Sequence, residues 1–342
     1  MLSKLSHTLC ALVLSGCGAL TYHTPQDPMY RGPTPLDRSI EERFRYKDDD
    51  GIAPITTLVR SENRLLYTLE TSTFSHYDEA SQKDRQVTFE HYRTRLRENA
   101  PLVLVAPILG GKYAIERPLC ETLAENGISA VLVHRPKHML RFAEFDNLET
   151  FLRSIVSDRR CVLDALDCEY DQMGSIGISM GAITNVPLIA VEHRLQYNIL
   201  GMPGANIPLI LMTSTEGSLE EFVEEHSREL SKNADELLEH FKEGYESDPA
   251  NLAPYIDARN TRMFLAFFDT VVPYERGLEL HEALGRPELD VLPTGHYTAA
   301  LYYFWIKDMA VEFFQERFGV DSDAVESRKN SILRRHVRRR VS

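Results

Sequence analysis

Short apolar runs alternate with amphipathic helical patterns along most of this chain, and that alternation restricts the folds it can adopt. The run at 101–106 is continuously apolar, as is typical of a strand buried on both faces of a sheet. We predict strands at 101–106, 128–133, 173–178, 197–202, 262–268 and 289–292, after an antiparallel hairpin at 64–73 and 86–93. We predict helices at 115–125, 148–166, 182–192, 274–284 and 298–318. Such alternation predicts right-handed crossovers and a mostly parallel sheet flanked by helices.

The strand at 173–178 ends in the sequence Gly-Ile-Ser-Met-Gly at 177–181 and runs directly into a helical pattern. A serine on such a tight strand-to-helix turn adopts a strained backbone conformation, and the two glycines leave room for the turn to close. The hydroxyl of Ser179 would stand at the helix N-terminus, where backbone N–H groups favour negative charge. The motif alone also fits a small-residue turn with an incidental serine, so other parts of the chain must decide.

A serine hydroxyl is a weak nucleophile at neutral pH, so it needs a base, and the base needs a group that orients it. Asp269 and His296 each follow a predicted strand, and both come after Ser179 in the chain. This order fits a nucleophile, an orienting acid and a base. Asp269 is also explained as a residue that only starts a helix. His134 and His138 are rivals for the base, but they precede the serine.

The oxyanion of an acyl-transfer intermediate requires two hydrogen-bond donors. We expect one of them to be the backbone N–H of Met180, directly after the serine. The other would come from the turn after the first parallel strand, which reads Pro-Ile-Leu-Gly-Gly at 107–111. Because Pro107 has no N–H, this donor is predicted to be Ile108 or Leu109.

From residue 64 to residue 318 the chain resembles an α/β-hydrolase-fold serine hydrolase. The sequence around Ser179 is similar to the nucleophile elbow of that family, Asp269 with its following Val-Val-Pro to the acid loop, and Gly-His ending at His296 to the histidine loop. The chain departs from the family pattern at the oxyanion turn, where many members carry His-Gly and this chain has Pro-Ile. The resemblance implies an α/β-hydrolase fold and hydrolysis of a small-molecule or lipid ester through an acyl-enzyme, with no cofactor and no metal ion.

Two alternatives to an ester hydrolase stay open. The same scaffold supports acyltransferases, which pass the acyl group to an alcohol instead of water. The family also includes members that have lost activity, so the chain is alternatively a catalytically silent envelope lipoprotein that binds through its cleft.

The N-terminus resembles a bacterial lipoprotein signal peptide. Lys4 precedes a short apolar run at 5–14, which is too short to anchor the chain across a membrane. The sequence Leu-Ser-Gly-Cys that ends at Cys17 resembles a lipobox, which implies removal of residues 1–16 and a diacylglycerol on the cysteine. Gly18 after the cysteine implies anchoring in the outer membrane, facing the periplasm. Prolines and a charged run predict that residues 17–60 form a solvated tether.

Residues 61–320 are predicted to form the hydrolase domain, interrupted at 204–250 by an acidic helical insertion. We expect a lid over the site there, since loops at this edge of an α/β sheet border the ligand, although a plain pair of surface helices is the alternative. The segment 321–342 is a basic tail that either contacts anionic lipid head groups or forms a disordered end. Despite that tail the formal net charge is −13, which argues against a nucleic-acid partner.

Overall fold

The computed structural model describes residues 21–46, 53–135 and 148–341. Within these residues ten strands form one sheet. The strands are, in chain order, β1 (Tyr22–Thr24), β2 (Thr57–Asn63), β3 (Tyr67–Asp78), β4 (Lys83–Thr94), β5 (Leu102–Ala106), β6 (Ser129–Val133), β7 (Met173–Ile178), β8 (Leu195–Gly201), β9 (Thr261–Ala266) and β10 (Glu288–Leu292). Across the sheet they lie in the order β1-β10-β9-β8-β7-β5-β6-β4-β3-β2.

The centre of the sheet is parallel, as the sequence predicts. The six strands β10, β9, β8, β7, β5 and β6 run parallel to one another. β4, β3 and β2 continue the sheet in antiparallel sense beyond β6, and β1 pairs antiparallel with β10 at the opposite edge. The predicted hairpin is present as β3 and β4. Its turn is shorter than the polar sequence at 75–85 indicates, because residues 75–78 pair with 83–86.

Eleven α-helices accompany the sheet in the part of the chain that the structure describes. They are α1 (Arg38–Arg43), α2 (Glu116–Ala124), α3 (Leu148–Leu166), α4 (Met180–Val191), α5 (Ile207–Thr213), α6 (Gly217–Leu230), α7 (Ala234–Lys242), α8 (Pro249–Leu252), α9 (Tyr274–Ala283), α10 (Tyr303–Phe318) and α11 (Ser322–Val341). The bounds of α3 are those that its amphipathic pattern predicts. The long helix predicted at 298–318 begins instead with a 3₁₀ turn, Thr298–Tyr302, that leads into α10.

Apolar side chains cover both faces of the central strands. In β5, Leu102, Leu104 and Ala106 belong to the core under α3 and α4, whereas Val103 and Val105 belong to the core under α2 and α10. All five residues are almost fully buried. Successive side chains of a strand point to opposite faces, so a continuous apolar run covers both sides of the sheet.

The predicted insertion at 204–250 is helical and contains α5, α6 and α7. Leu219 and Phe222 of α6 pack with apolar residues of α5 and α7 in a third core. α7 begins with a capping box, in which Asn233 and Glu236 each accept a hydrogen bond from the other's backbone N–H. The apolar face that the sequence pattern shows is therefore buried among these helices.

Residues 21–46, which the sequence predicts to be part of a solvated tether, are packed on the folded domain. β1 pairs with β10 at the sheet edge, and Ile40 of α1 and Phe44, directly after α1, are buried in the core under α3 and α4. Asp37 caps α1 by accepting a hydrogen bond from the backbone N–H of Ser39. The prediction of a solvated tether is therefore wrong for this stretch. Prolines and charges dominate its sequence, and two apolar positions four residues apart are too weak a signal for a packed helix.

The basic segment at 321–342 is largely the helix α11. Val325 is buried against Gly127, and Arg328 donates a hydrogen bond to the backbone carbonyl of Arg95. A disordered end is therefore wrong for the start of this segment, because Val325 packs on the body. Contact of the tail with lipid head groups stays a prediction.

The predicted signal peptide at 1–16 and the predicted lipidation site Cys17 lie outside the described residues. Among the helices that the structure does describe, none is both long and apolar enough to cross a bilayer. Cys120, Cys161 and Cys168 are free thiols, and the first two are buried.

Candidate active site

Ser179 lies on the tight turn between β7 and α4, with φ 54° and ψ −125°. This conformation is unfavourable for a residue with a side chain, and it is the one in which a strand-to-helix turn lifts a serine clear of the sheet. The Ser179 N–H donates to the carbonyl of Gly201 in β8 at 2.8 Å, which ties the turn to the neighbouring strand. The strained serine that the motif predicts is present.

Glycines flank this turn because a side chain fits at neither position. A Cβ on Gly177 would lie 2.4 Å from the carbonyl oxygen of Gly181. A Cβ on Gly181 would lie 2.3 Å from the carbonyl oxygen of Ala106 in β5. Both carbonyl oxygens are backbone atoms, of α4 and of β5, so they cannot move without shifting the helix or the strand. The glycine spacing therefore reflects the close approach of α4 to β5 and β7.

Ser179 is hydrogen-bonded to His296, and His296 to Asp269. Ser179 Oγ lies 2.9 Å from His296 Nε2, and His296 Nδ1 lies 2.7 Å from Asp269 Oδ2. The side chains of His296 and Asp269 are 11% and 2% exposed. The structure thus brings together the three residues that the sequence singles out, although they are far apart in the chain.

Asp269 and His296 reach the serine because each follows a parallel strand, β9 and β10 respectively. Asp269 Oδ1 accepts hydrogen bonds from the N–H groups of Val271 and Val272 at 2.9 and 3.0 Å. One carboxylate oxygen therefore holds its own loop while the other faces the histidine. The N-cap of α9 is Pro273, so Asp269 is not merely the residue that starts this helix.

The predicted oxyanion donors differ in their hydrogen bonding. Met180 opens α4 directly after Ser179, so its N–H belongs to the first turn, where backbone donors have no intrahelical acceptor. The N–H of Ile108 donates to Glu116 Oε1 at 2.7 Å. The Ile108 N–H therefore already has an acceptor, which corrects the prediction that Ile108 donates to the oxyanion. Of the two residues predicted from this turn, Leu109 remains.

The sequence matches no protein-family model and no curated protein sequence. An acetyl xylan esterase from a Thermoanaerobacterium species is similar in structure, with a TM-score of 0.58 at 15% identity over 85% of this chain and 99% of that chain. An acetyl xylan esterase from a Paenibacillus species has a TM-score of 0.52 at 16% identity, over 85% of this chain and 98% of that chain. This chain has the α/β-hydrolase fold.

A third similar structure is larger than this α/β-hydrolase-fold chain. It is an acylaminoacyl peptidase from Pyrococcus horikoshii, with a TM-score of 0.50 at 13% identity over 75% of this chain and 49% of that chain. The α/β-hydrolase fold that the resemblance implies is confirmed. At these identities the likeness concerns the fold, so chemistry must be argued from the residues of this chain.

Of the rival histidines, His134 is engaged elsewhere in the α/β-hydrolase fold. Its Nε2 lies 3.0 Å from Glu90 Oε1, and Glu90 also accepts hydrogen bonds from Arg117 and Tyr92. Burial alone would raise the pKa of Glu90, but these hydrogen bonds outweigh it and lower the pKa to about 2. His138 lies outside the described residues.

Sequence reasoning missed two charged residues beside the oxyanion turn, Glu116 and Arg135. Glu116 is the first residue of α2 and is buried, and this burial raises its pKa. Arg135 follows β6, and its Nη1 donates to the carbonyl oxygens of Ile108 at 2.9 Å and Gly110 at 2.8 Å. The signal that indicates Arg135 is its place just past a central parallel strand, at the edge where the serine stands.

A cavity of about 660 Å³ lies beside Ser179 and His296. Its wall is mostly apolar and includes, from the insertion, Ile207, Ile210, Leu211 and Leu219 and, from other elements, Ile115, Tyr303 and Ile306. Polar side chains in the wall include Arg135, Glu216 and Ser218. The predicted insertion therefore borders the site, and a cavity of this size and polarity suits a ligand with a substantial apolar part.

One group of potential metal ligands occurs among the described residues, and it lies at the sheet edge formed by β1 and β10. It consists of His23, Glu288 and Asp290. Arg262 already pairs with both acids, with Nη2 at 2.8 Å from Asp290 and Nη1 at 3.2 Å from Glu288. A cation would have to oppose that guanidinium, so we assign no metal to this group.

Proposed function

We propose that this α/β-hydrolase-fold protein hydrolyses carboxylic esters through an acyl-enzyme on Ser179. The observation that carries the proposal is the hydrogen-bonded series from Ser179 through His296 to Asp269 beside an apolar cavity. A serine on a strained turn, within hydrogen-bond distance of an oriented histidine, is the arrangement that nucleophilic acyl transfer requires.

In the first step Ser179 Oγ attacks the carbonyl carbon of the ester while His296 Nε2 takes the hydroxyl proton. Asp269 accepts the Nδ1–H hydrogen bond, which selects the tautomer with a lone pair on Nε2 and stabilises the imidazolium that forms. The tetrahedral intermediate then breaks its C–O bond to the alcohol, and His296 returns the proton to the leaving oxygen. Ser179 is left acylated.

In the second step water replaces the alcohol. His296 takes a proton from water as the water oxygen attacks the acyl carbon, and it returns that proton to Ser179 Oγ when the acyl–serine bond breaks. The carboxylic acid leaves and the enzyme is restored. In both steps we assign the oxyanion to the N–H groups of Met180 and Leu109, and loss of one such donor typically slows the reaction by roughly 10²–10³-fold.

The apolar cavity supports an ester with a hydrophobic acyl group as the substrate. Each methylene that enters such a cavity contributes about 0.8 kcal/mol, which corresponds to about a fourfold gain in binding. We therefore expect kcat/KM to rise with acyl length until the cavity is full.

A series of p-nitrophenyl esters from acetate to decanoate tests this function. The wild-type protein is expected to hydrolyse the series with kcat/KM rising about threefold to fourfold for each added methylene over the first members. Ser179→Ala is expected to lose at least about 10³-fold on every ester. No hydrolysis of any ester contradicts the proposal and favours a silent binding protein. Full activity in Ser179→Ala also contradicts the proposal, because another group would then be the nucleophile.

Hydrolysis and acyl transfer differ only in the nucleophile of the second step. An acyltransferase would form a new ester when an alcohol is added to the reaction, at the expense of free acid. We propose hydrolysis, and we expect free acid to remain the main product in the presence of glycerol or other small alcohols.

We also propose that a lipid on Cys17 tethers the protein to the bacterial envelope, at the outer membrane and facing the periplasm. The order of Lys4, the apolar run at 5–14 and the lipobox-like sequence supports this. Detergent-phase partitioning tests the anchor: the wild type should enter the detergent phase, and Cys17→Ser should not.

A further inference from the structure

The turn after β5, residues 107–113, has an unusual backbone. Gly111, Lys112 and Tyr113 have positive φ angles of 79°, 50° and 64°. Residues with side chains rarely adopt this conformation, and it persists where surrounding contacts hold it. Those contacts matter for the site because the same turn contains Leu109, the proposed oxyanion donor.

Arg135 and Glu116 hold this turn through three hydrogen bonds. Arg135 Nη1 donates to the carbonyl oxygens of Ile108 at 2.9 Å and Gly110 at 2.8 Å. Glu116 Oε1 accepts from the N–H of Ile108 at 2.7 Å. Hydrogen bonds to charged groups are stronger than neutral ones, so the backbone on both sides of Leu109 is firmly fixed.

These contacts set the direction of the Leu109 N–H. No peptide bond in the described residues is cis, so this N–H points opposite to the Ile108 carbonyl of the same planar peptide group. The carbonyl faces the guanidinium of Arg135, and the N–H therefore faces away from it. Leu109 lines the same cavity as Ser179.

Tyr113 connects Arg135 to the surrounding fold. The backbone N–H of Arg135 donates to the Tyr113 hydroxyl at 3.2 Å, and the guanidinium carbon lies 5.1 Å from the centre of the Tyr113 ring. That ring stacks on His134 with 4.6 Å between centroids, and the Arg117 guanidinium carbon lies 5.3 Å from its centre. The planar guanidinium of Arg135 suits this site, because it lies over an aromatic ring while it bonds two carbonyls.

We propose that Arg135 is a positioning residue for the ester hydrolysis proposed above. It holds the turn so that the Leu109 N–H donates to the oxyanion formed on Ser179. Glu116 complements it by engaging the Ile108 N–H, which leaves Leu109 as the donor of this turn. In this role neither side chain touches the reacting atoms. The proposal rests on the proposed function, since the turn has this role only if an oxyanion forms.

Glu116 couples to the charge of Arg135. Glu116 is 2% exposed, and its Oε2 has no hydrogen-bond partner among the described residues. Burial raises the pKa of Glu116, whereas the nearby Arg135 guanidinium favours the ionised carboxylate. Removal of Arg135 therefore weakens the turn directly and also through Glu116.

The test compares the wild type with Arg135→Met and Arg135→Lys on a p-nitrophenyl ester that the wild type hydrolyses. Arg135→Met is expected to lower kcat by roughly 10- to 100-fold while KM changes by less than about threefold, because a misplaced donor affects the transition state more than the bound substrate. Arg135→Lys keeps a charged donor and should recover part of kcat. Added guanidinium ion should raise kcat of Arg135→Met and leave the wild type unaffected.

Arg160→Met is the matched control. Arg160 is also partly buried, lies 4.0 Å from the centre of the Tyr46 ring and donates to the backbone carbonyl of Phe44. It does not line the cavity. We expect its removal to lower thermal stability and to keep kcat within about twofold of the wild type.

Equal kcat values in Arg135→Met and Arg160→Met overturn the proposal. A rise in KM confined to substrates that carry a carboxylate also overturns it, since Arg135 would then bind substrate. If Arg135→Met does not fold, Glu116→Met and Glu116→Gln test the same turn, because only the amide of Gln can accept the hydrogen bond from the Ile108 N–H. A loss of kcat in Glu116→Met that Glu116→Gln recovers supports the proposal. Equal kcat values in these two variants overturn it. If the wild type hydrolyses no ester, the proposed function itself fails, which distinguishes the two failures.

Discussion

The carboxylate of Asp269 holds the ring of His296, with 2.7 Å between Oδ2 and Nδ1. The other carboxylate oxygen accepts hydrogen bonds from Val271 and Val272, so the group cannot rotate without breaking them. The side chain of Asp269 is 2% exposed, and little water competes for it. The loop after β9 therefore fixes the orientation of the histidine that meets Ser179.

Asp269→Asn should disrupt the hydrogen bond that orients His296, although it keeps the shape of the side chain. The amide removes the charge and one acceptor, so His296 no longer holds the tautomer that accepts the serine proton. We expect kcat on a p-nitrophenyl ester to fall by roughly 10³–10⁴-fold with an unchanged circular dichroism spectrum. Asp290→Asn is the control, since Asp290 is equally buried and pairs with Arg262, and it should change kcat by less than about threefold. A loss below tenfold in Asp269→Asn would contradict the assigned role.

Gly177→Ala should destabilise the whole fold, because its Cβ would lie 2.4 Å from a backbone oxygen of α4. We expect the free energy of unfolding to fall by about 2–4 kcal/mol in urea titrations. Gly217→Ala is the matched control: no heavy atom lies within 4 Å of its added Cβ, and the residue begins α6. It should leave stability unchanged or raise it by up to about 1 kcal/mol. Equal effects of the two substitutions would mean that the turn tolerates a side chain.

Leu219→Phe should shorten the acyl chain that the protein prefers. Leu219 lies on α6 and lines the cavity, so a larger side chain there reduces the space for substrate. We expect kcat/KM for the decanoate ester to fall by about tenfold or more, with the acetate ester changed by less than about threefold. Val223→Phe on the same helix does not line the cavity and should keep the wild-type profile. A uniform loss on all esters would argue that the acyl chain binds elsewhere.

His91 should make the fold sensitive to acid. It lies buried in β4 and shares a hydrogen bond of 2.6 Å with the hydroxyl of Tyr170. Burial, together with the charge of Arg93, lowers the pKa of His91 to about 3. In the unfolded chain His91 binds a proton as the pH falls below about 6.5, whereas in the folded chain it stays neutral there. The contribution of neutral His91 to the free energy of unfolding is therefore complete above that pH. It is lost as the pH falls toward 3, by up to about 1.4 kcal/mol per pH unit.

Urea unfolding between pH 7 and pH 4 measures this loss. His91→Gln should be less stable than the wild type at pH 7, but its free energy of unfolding should depend less steeply on pH below about 6.5. His193 is exposed, so His193→Gln should keep the wild-type slope. An unchanged slope in His91→Gln would show that this histidine titrates alike in both states.

The three residues at the site were predictable because each follows a predicted strand. Carboxyl ends of parallel strands meet at one edge, so Ser179, Asp269 and His296 had to converge once the strand assignment was right. The glycine spacing around the serine added the turn. This prediction therefore depends only on local sequence patterns.

Other features depend on contacts that no local pattern contains. The sequence of the turn does not reveal that the Ile108 N–H is bonded to Glu116, eight residues away. Arg135 bonds a turn that lies 25 residues before it. The stretch at 21–46 reads as a polar linker, and only the sheet edge and the core of the folded domain give β1 and α1 a partner.

Covalent labelling with a fluorophosphonate tests the role of Ser179 most directly. The probe reacts with a serine that a neighbouring base activates, so the wild type should gain one adduct, and peptide mapping should place it on Ser179. Ser179→Ala should not be labelled. Ser218→Ala should be labelled like the wild type, since Ser218 lines the cavity but donates to Glu216 and not to a histidine. An unlabelled wild type, or equal labelling of Ser179→Ala, would contradict Ser179 as the nucleophile.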